Sequence, residues 1–153
     1  MSYLSQIKTE LRGRILEVRE QRDRRISART AKKNLRAAIA KLAKLEDYSH
    51  LSTITAVDIG SEIEVIYHIA SKTALLSLKV PVPKEDPILP TIVDLIPGAA
   101  LYEREVHDLF GVDFEGNPDL SPVLLPDGWP DGVYPLRKEW TPGRLSRRMK
   151  RRR

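Results

Sequence analysis

Cysteine is absent from the 153 residues. That excludes disulfides, thiolate nucleophiles, Cys-ligated zinc and Cys-held iron–sulfur clusters. Long apolar runs are missing too. The longest stretch without Lys, Arg, Asp or Glu, residues 48–57, is about half of the ~20 residues a membrane-spanning helix requires. The opening Met-Ser-Tyr-Leu-Ser-Gln-Ile-Lys has no apolar run and no cleavage site, so no secretory leader is expected. The chain is expected in the cytoplasm, meeting a membrane only through partners or surface charge. The first 47 residues contain no proline and one glycine, Gly13.

What is present is unevenly charged. Residues 1–47 hold thirteen basic and six acidic side chains, the middle 48–143 six basic and fifteen acidic, and 144–153 seven basic and none acidic. An acidic body with basic ends marks interaction surfaces rather than one uniformly basic binding face. A basic tail also raises an RNA-binding reading. No aromatic stacking set accompanies it, and the acidic body would repel phosphate, so nucleic acid is not expected as a partner.

Residues 2–46 are rich in helix formers, with apolar stripes Leu4, Ile7, Leu11, Ile15, Val18 and Leu35, Ile39, Leu42, Leu45. They predict two basic helices with a break near Arg24-Arg25-Ile26-Ser27, or one long helix. From Leu51 the period changes to two. Three strands around 51–59, 63–69 and 74–80, separated by Gly60-Ser61 and Ser71-Lys72-Thr73, predict an antiparallel meander. Prolines 81, 83, 87, 90 and 97 then leave room for only a short helix around 91–96. Residues 99–110 predict a helix ended by Gly111. Beyond it, 112–142 reads as irregular and Pro/Gly-rich, and the tail as mobile unless a partner orders it. The expected class is α/β (α+β), one structural domain in four parts: 1–47, 48–111, 112–143 and 144–153.

Residues 103–111, Glu-Arg-Glu-Val-His-Asp-Leu-Phe-Gly, concentrate ionisable groups on the predicted helix. Glu103 and His107 share one face at i, i+4, and Arg104 and Asp108 the next. Three readings stand open: a solvated face with two i, i+4 pairs, a metal or acid/base site using Glu103 and His107, and a buried ion-pair network facing a partner. Arg104 is expected to pair with Asp108 or with a partner's carboxylate. His50 and His68 read as hydrogen-bonded structural residues, and Trp129 and Trp140 as partner anchors or local plugs.

The run Glu103-Arg104-Glu105, Asp108-Leu109-Phe110-Gly111 continues into Phe114-Glu115-Gly116, Pro118-Asp119-Leu120, Leu124-Leu125-Pro126 and Pro135-Leu136-Arg137-Lys138-Glu139-Trp140. In this the chain resembles the 30-kDa subunit family of respiratory complex I (NADH-quinone oxidoreductase) and its relatives in membrane-bound hydrogenase and sulfur reductase complexes. The resemblance covers about residues 50–140, more loosely upstream at 55–58, 65–69, 80–83 and 97–100. It departs at Asn117, where the family usually has His or Lys, and at Ser121, where it usually has a basic residue. The Trp129-to-Lys138 form is most similar to hydrogenase-type relatives.

The resemblance implies a subunit with no catalytic site, metal or cofactor of its own. It would sit peripherally on the cytoplasmic face of an ion-translocating electron-transfer complex. Iron–sulfur clusters, and nickel–iron where the complex is a hydrogenase, would lie in partners: a large hydrogenase-like (49-kDa type) subunit and an iron–sulfur small subunit. Docking is then expected through Glu103, Arg104, Glu105, Asp108, Phe114, Trp129, Tyr134, Arg137, Lys138 and Trp140, with 112–143 an extended arm.

Overall fold

The structure, a computed structural model, describes residues 2–46 and 50–151. Within them, seven strands and four α-helices follow in the order α1 (Tyr3–Glu10), β1 (Glu17–Arg22), β2 (Arg25–Arg29), α2 (Leu35–Ala43), β3 (His50–Asp58), β4 (Glu62–Ala70), β5 (Leu75–Pro83), β6 (Ile88–Pro90), α3 (Ala99–Phe110), β7 (Asp113–Glu115) and α4 (Pro142–Lys150). This is the α/β class expected, with a mainly antiparallel sheet. The five-stranded sheet runs β1-β2-β5-β4-β3. Within it only β2 and β5 pair in parallel; β3-β4-β5 is the predicted meander.

Alternation sorts the side chains of the sheet. Ile63, Val65, Tyr67 and Ile69 of β4 and Leu76, Leu78, Val80 and Val82 of β5 are almost fully buried. They join Ile7 and Leu11, then Leu35, Ile39 and Leu42 of α2, and Val106 and Phe110 of α3 in one core. Each such side chain contributes on the order of 1.5–3 kcal/mol by leaving water. The other sheet face is polar. There Glu64 receives Arg29 at 3.0 Å and Lys79 at 3.7 Å, and His68 is joined to Thr55 at 2.9 Å and Ser77 at 3.2 Å.

The N-terminal segment departs from the expected helix–break–helix. Helices stand at both ends, but residues 17–29 between them form an antiparallel hairpin. Helix preference among Arg, Glu and Gln is worth only tenths of a kcal/mol per residue. It is overridden because β2 finds a strand edge in β5 and buries Ile26 and Ala28 there. Arg24, at φ 62°, makes the turn that a glycine would have announced.

Three further differences follow the same logic. Residues 91–96 form a single turn closed by the Ile96 N–H on the Ile92 carbonyl, not a helix. Strand β7, expected as irregular chain, pairs in parallel with β6 and sinks Phe114 to 1% exposure. The tail, expected to wait for a partner, forms α4, capped by the Thr141 hydroxyl accepting from the Arg144 N–H and opened by Pro142. The boundary expected at 47–48 and the last two arginines fall on residues outside those described.

Candidate functional site

Helix α3 holds the site, with Gly111 at φ 73° turning the chain out of it. Its ionisable side chains reach outward from the helix, and none makes the expected i, i+4 pair. Glu103, fully buried, accepts from the Thr91 hydroxyl at 2.7 Å, the Ile92 N–H at 2.9 Å and the Asn117 amide at 2.7 Å. Asp108, 3% exposed, accepts from three successive backbone N–H groups, Val123, Leu124 and Leu125, at 2.9, 2.8 and 3.3 Å. Arg104 donates to the Ser121 carbonyl and hydroxyl and to the Pro122 carbonyl at 3.0–3.1 Å. Its carboxylate is Asp119 at 3.9 Å, not Asp108. Buried polar groups need such partners, so these bonds fix the 117–125 loop on the helix.

Residues 134–140 are tied down next. The Leu136 N–H donates to the Leu109 carbonyl at 3.1 Å. Arg137 donates to the Phe110 carbonyl at 2.7 Å and stacks 4.8 Å over the Tyr134 ring. The Tyr134 ring covers Gly111 so closely that a Cβ there would overlap it. Asp58 accepts from the Gly60 and Lys138 N–H groups and pairs with Lys84 at 2.6 Å; Lys84 reaches on to Glu139 at 2.8 Å. Burial pushes the Asp58 carboxyl up, but the Lys84 ammonium and the two N–H donors outweigh it and hold Asp58 at about 2.

A depressed carboxylate stabilises the fold fully above its ordinary value of 3.8 and stops doing so as pH falls through about 2. The stability gap between wild type and Asp58→Asn is therefore expected to shrink by about 2 kcal/mol from neutral pH to pH 2, half of it by about pH 3. Urea unfolding of both proteins across that range checks it. A pH-independent gap would remove Asp58 from the acid response.

The expected docking residues divide. Phe114 and Glu103 do not reach the surface: both are packed inside the chain. Arg104 and Asp108 fasten residues 121–125, and Tyr134 and Arg137 fasten 134–137, to helix α3 and its end, so the arm expected over 112–143 is pinned at these stretches. Glu105 and Trp140 are half-buried, and Lys138 is exposed. Trp129 donates its indole N–H to the Val133 carbonyl at 2.7 Å and closes its own loop. Leu124 and Leu136, each 53% exposed, and Leu101, 47% exposed, stand out to solvent on this segment and on α3.

Glu103 and His107 do not converge: His107 donates from Nδ1 to the Val112 carbonyl at 3.0 Å, beside Asp113. Among the described residues no group of three or more His, Asp or Glu is arranged to hold a metal, and no helix is long and apolar enough to cross a membrane. Sequence reasoning missed Lys84 and Thr91 and gave Asp58 no role. Lone polar residues beside turns carry no periodic signal, although an Asp two residues before Gly60 is a common turn-bonding pattern.

The class the fold defines is an α/β module whose helix α3 binds the segment that follows it into a fixed, leucine-bearing surface. The chain belongs to the family described as respiratory-chain NADH dehydrogenase, 30 Kd subunit, whose pattern matches residues 28–144. It is 42% identical over 88 residues to an NADH-quinone oxidoreductase subunit of Acidothermus cellulolyticus, covering 56% of this chain and 45% of the relative. It is 32% identical to the membrane-bound hydrogenase subunit beta of Pyrococcus furiosus, covering 75% and 69%. The chain thus spans less than half the length of some curated relatives. In structure it is similar to a chain of the membrane-bound sulfane sulfur reductase, an archaeal respiratory membrane complex. That likeness has a TM-score of 0.83 at 30% identity, over 96% of this chain and 87% of the other.

Proposed function

We propose that the chain is a cofactor-free scaffold subunit of a membrane-bound, ion-translocating electron-transfer complex of the complex I or hydrogenase type. It docks on the large hydrogenase-like subunit, beside the iron–sulfur small subunit, as a peripheral component on the cytoplasmic face. The clusters, and any nickel–iron centre, are carried by those partners. The observation that carries this reading is the pinned segment. Asp108, Arg104 and Asp58 hold its backbone while Leu124 and Leu136 face solvent. A surface ordered in advance loses less conformational freedom on binding, and exposed leucines on such a surface are what a partner would cover. Family membership and likeness to respiratory-complex chains support the same reading.

Replacing Leu124 and Leu136 together with Asp tests it. Both side chains are outside the core, so the isolated chain should keep its fold and melting temperature within a few degrees. Co-purification with the large subunit from cells making both should fall at least about tenfold, since two buried apolar contacts become two desolvated charges. Undiminished co-purification of a folded double variant would rule this surface out.

A further inference from the structure

Helix α4 and the residue that closes it carry four arginines at i, i+3, i+4 and i+7: Arg144, Arg147, Arg148 and Arg151. At 3.6 residues per turn they form one stripe about 10 Å long. With Trp140 they line a shallow cleft of their own. No acidic residue lies in the helix, and none of the four forms an ion pair among the described residues. Arg144 stacks 5.3 Å over the Trp140 ring and donates to the Glu139 carbonyl at 2.7 Å, which fixes the base of the stripe on the pinned segment.

From this we infer that the arginine face of α4 is a docking site for an acidic helix of a partner protein. Each guanidinium is a planar fork that matches a carboxylate through two parallel bonds. Carboxylates at i, i+3, i+4 and i+7 of a second helix share the stripe's spacing. The helix has little apolar surface with which to enter a membrane: its two larger apolar side chains, Leu145 and Met149, are already half-buried. Nor does it offer a stacking platform for bases: α4 itself carries no aromatic side chain, and Trp140 already holds Arg144 over one face. The inference takes from the scaffold reading only that a partner exists. It concerns different residues from Leu124 and Leu136, so either can fail alone.

The test uses the full chain and a fluorescent helical peptide of about fifteen residues with glutamates on one face at that spacing. A peptide of scrambled order, phosphatidylcholine vesicles containing about 30% phosphatidylserine, and a single-stranded RNA of about fifteen nucleotides complete the set. Since α4 contributes no buried residue, its variants should fold. Changing all four arginines to Gln should weaken binding of the ordered peptide about thirtyfold. Changing all four to Lys should weaken it several-fold by keeping charge without the fork. The variant K8Q/R12Q/K32Q/K33Q, with the same change in charge elsewhere, should bind within about twofold of wild type, and the scrambled peptide should bind several-fold more weakly. Equal losses in the two Gln variants, equal binding of both peptides, or tighter binding to vesicles or RNA than to the ordered peptide would overturn the inference. So would concentration-dependent self-association of the chain that the arginine variant abolishes, because the acidic partner would then be a second copy.

Discussion

Glu103→Ala is expected to destabilise the chain by about 4 kcal/mol and to lower its melting temperature by about 10–15 °C. The side chain is completely enclosed and is the shared acceptor for three donors from two separate segments, Thr91 and Ile92 on one side and Asn117 on the other. Alanine leaves the Ile92 N–H with no acceptor in a place water does not reach, at roughly 1–3 kcal/mol for each stranded group, and opens a cavity besides. The damage spreads because the Thr91 carbonyl also receives Arg36, which grips Asp94 through both oxygens at 2.8 and 2.6 Å. Loss of Glu103 therefore loosens the join between α2, the 91–94 turn and the 117 loop together. Glu103→Gln keeps one acceptor oxygen for Ile92, and its amide can donate to the Thr91 hydroxyl but meets the Asn117 amide donor to donor, so its cost should be about half as large. Chemical unfolding of the two variants measures this. Wild-type stability in Glu103→Ala would mean that the three hydrogen bonds contribute nothing net.

The second large effect is expected at Gly111. Alanine there must hold a left-handed backbone at φ 73° and bring its Cβ into overlap with one edge of the Tyr134 ring. The backbone part costs about 1 kcal/mol and the displaced ring about 2 more. The ring cannot move alone, since Arg137 is stacked on it while bonded to the Phe110 carbonyl. A double-mutant cycle separates the two parts. Removing the ring with Tyr134→Ala should make Gly111→Ala cost only about 1 kcal/mol, a coupling of about 2 kcal/mol between the positions. Additive effects would mean that the ring and the glycine do not constrain each other.

What can be read from the sequence follows the range of the interactions involved. The meander and α3 are legible because alternation, Gly60-Ser61 and the terminal Gly111 act within a few residues. The β1–β2 hairpin is not, because β2 is a strand only by virtue of β5, some fifty residues later, and its turn uses Arg24 where glycine would be the signal. The charges on α3 read as i, i+4 neighbours, the arrangement of an isolated helix. In the folded chain backbone N–H groups of 123–125 and the Ser121 carbonyl offer Asp108 and Arg104 better partners. Phe114 reads as an anchor because it stands in a Pro/Gly-rich stretch read as an extended arm; pairing of β7 with β6 and alternation along it turn the aromatic ring inward. The two departures from the family pattern also gain a physical setting. Asn117 supplies an amide to buried Glu103, and Ser121 carries Arg104 through both its hydroxyl and its carbonyl.

Hydrogen exchange tests most directly that 112–140 is a docking surface formed before its partner arrives. It should be followed at Val123, Leu124 and Leu125 in the isolated chain and again in the purified complex. In the isolated chain these amides should already exchange at least about a hundredfold slower than unstructured peptide, because Asp108 holds all three, and should slow further in the complex. Exchange at unstructured rates in the isolated chain, or no added protection in the complex, would contradict the account.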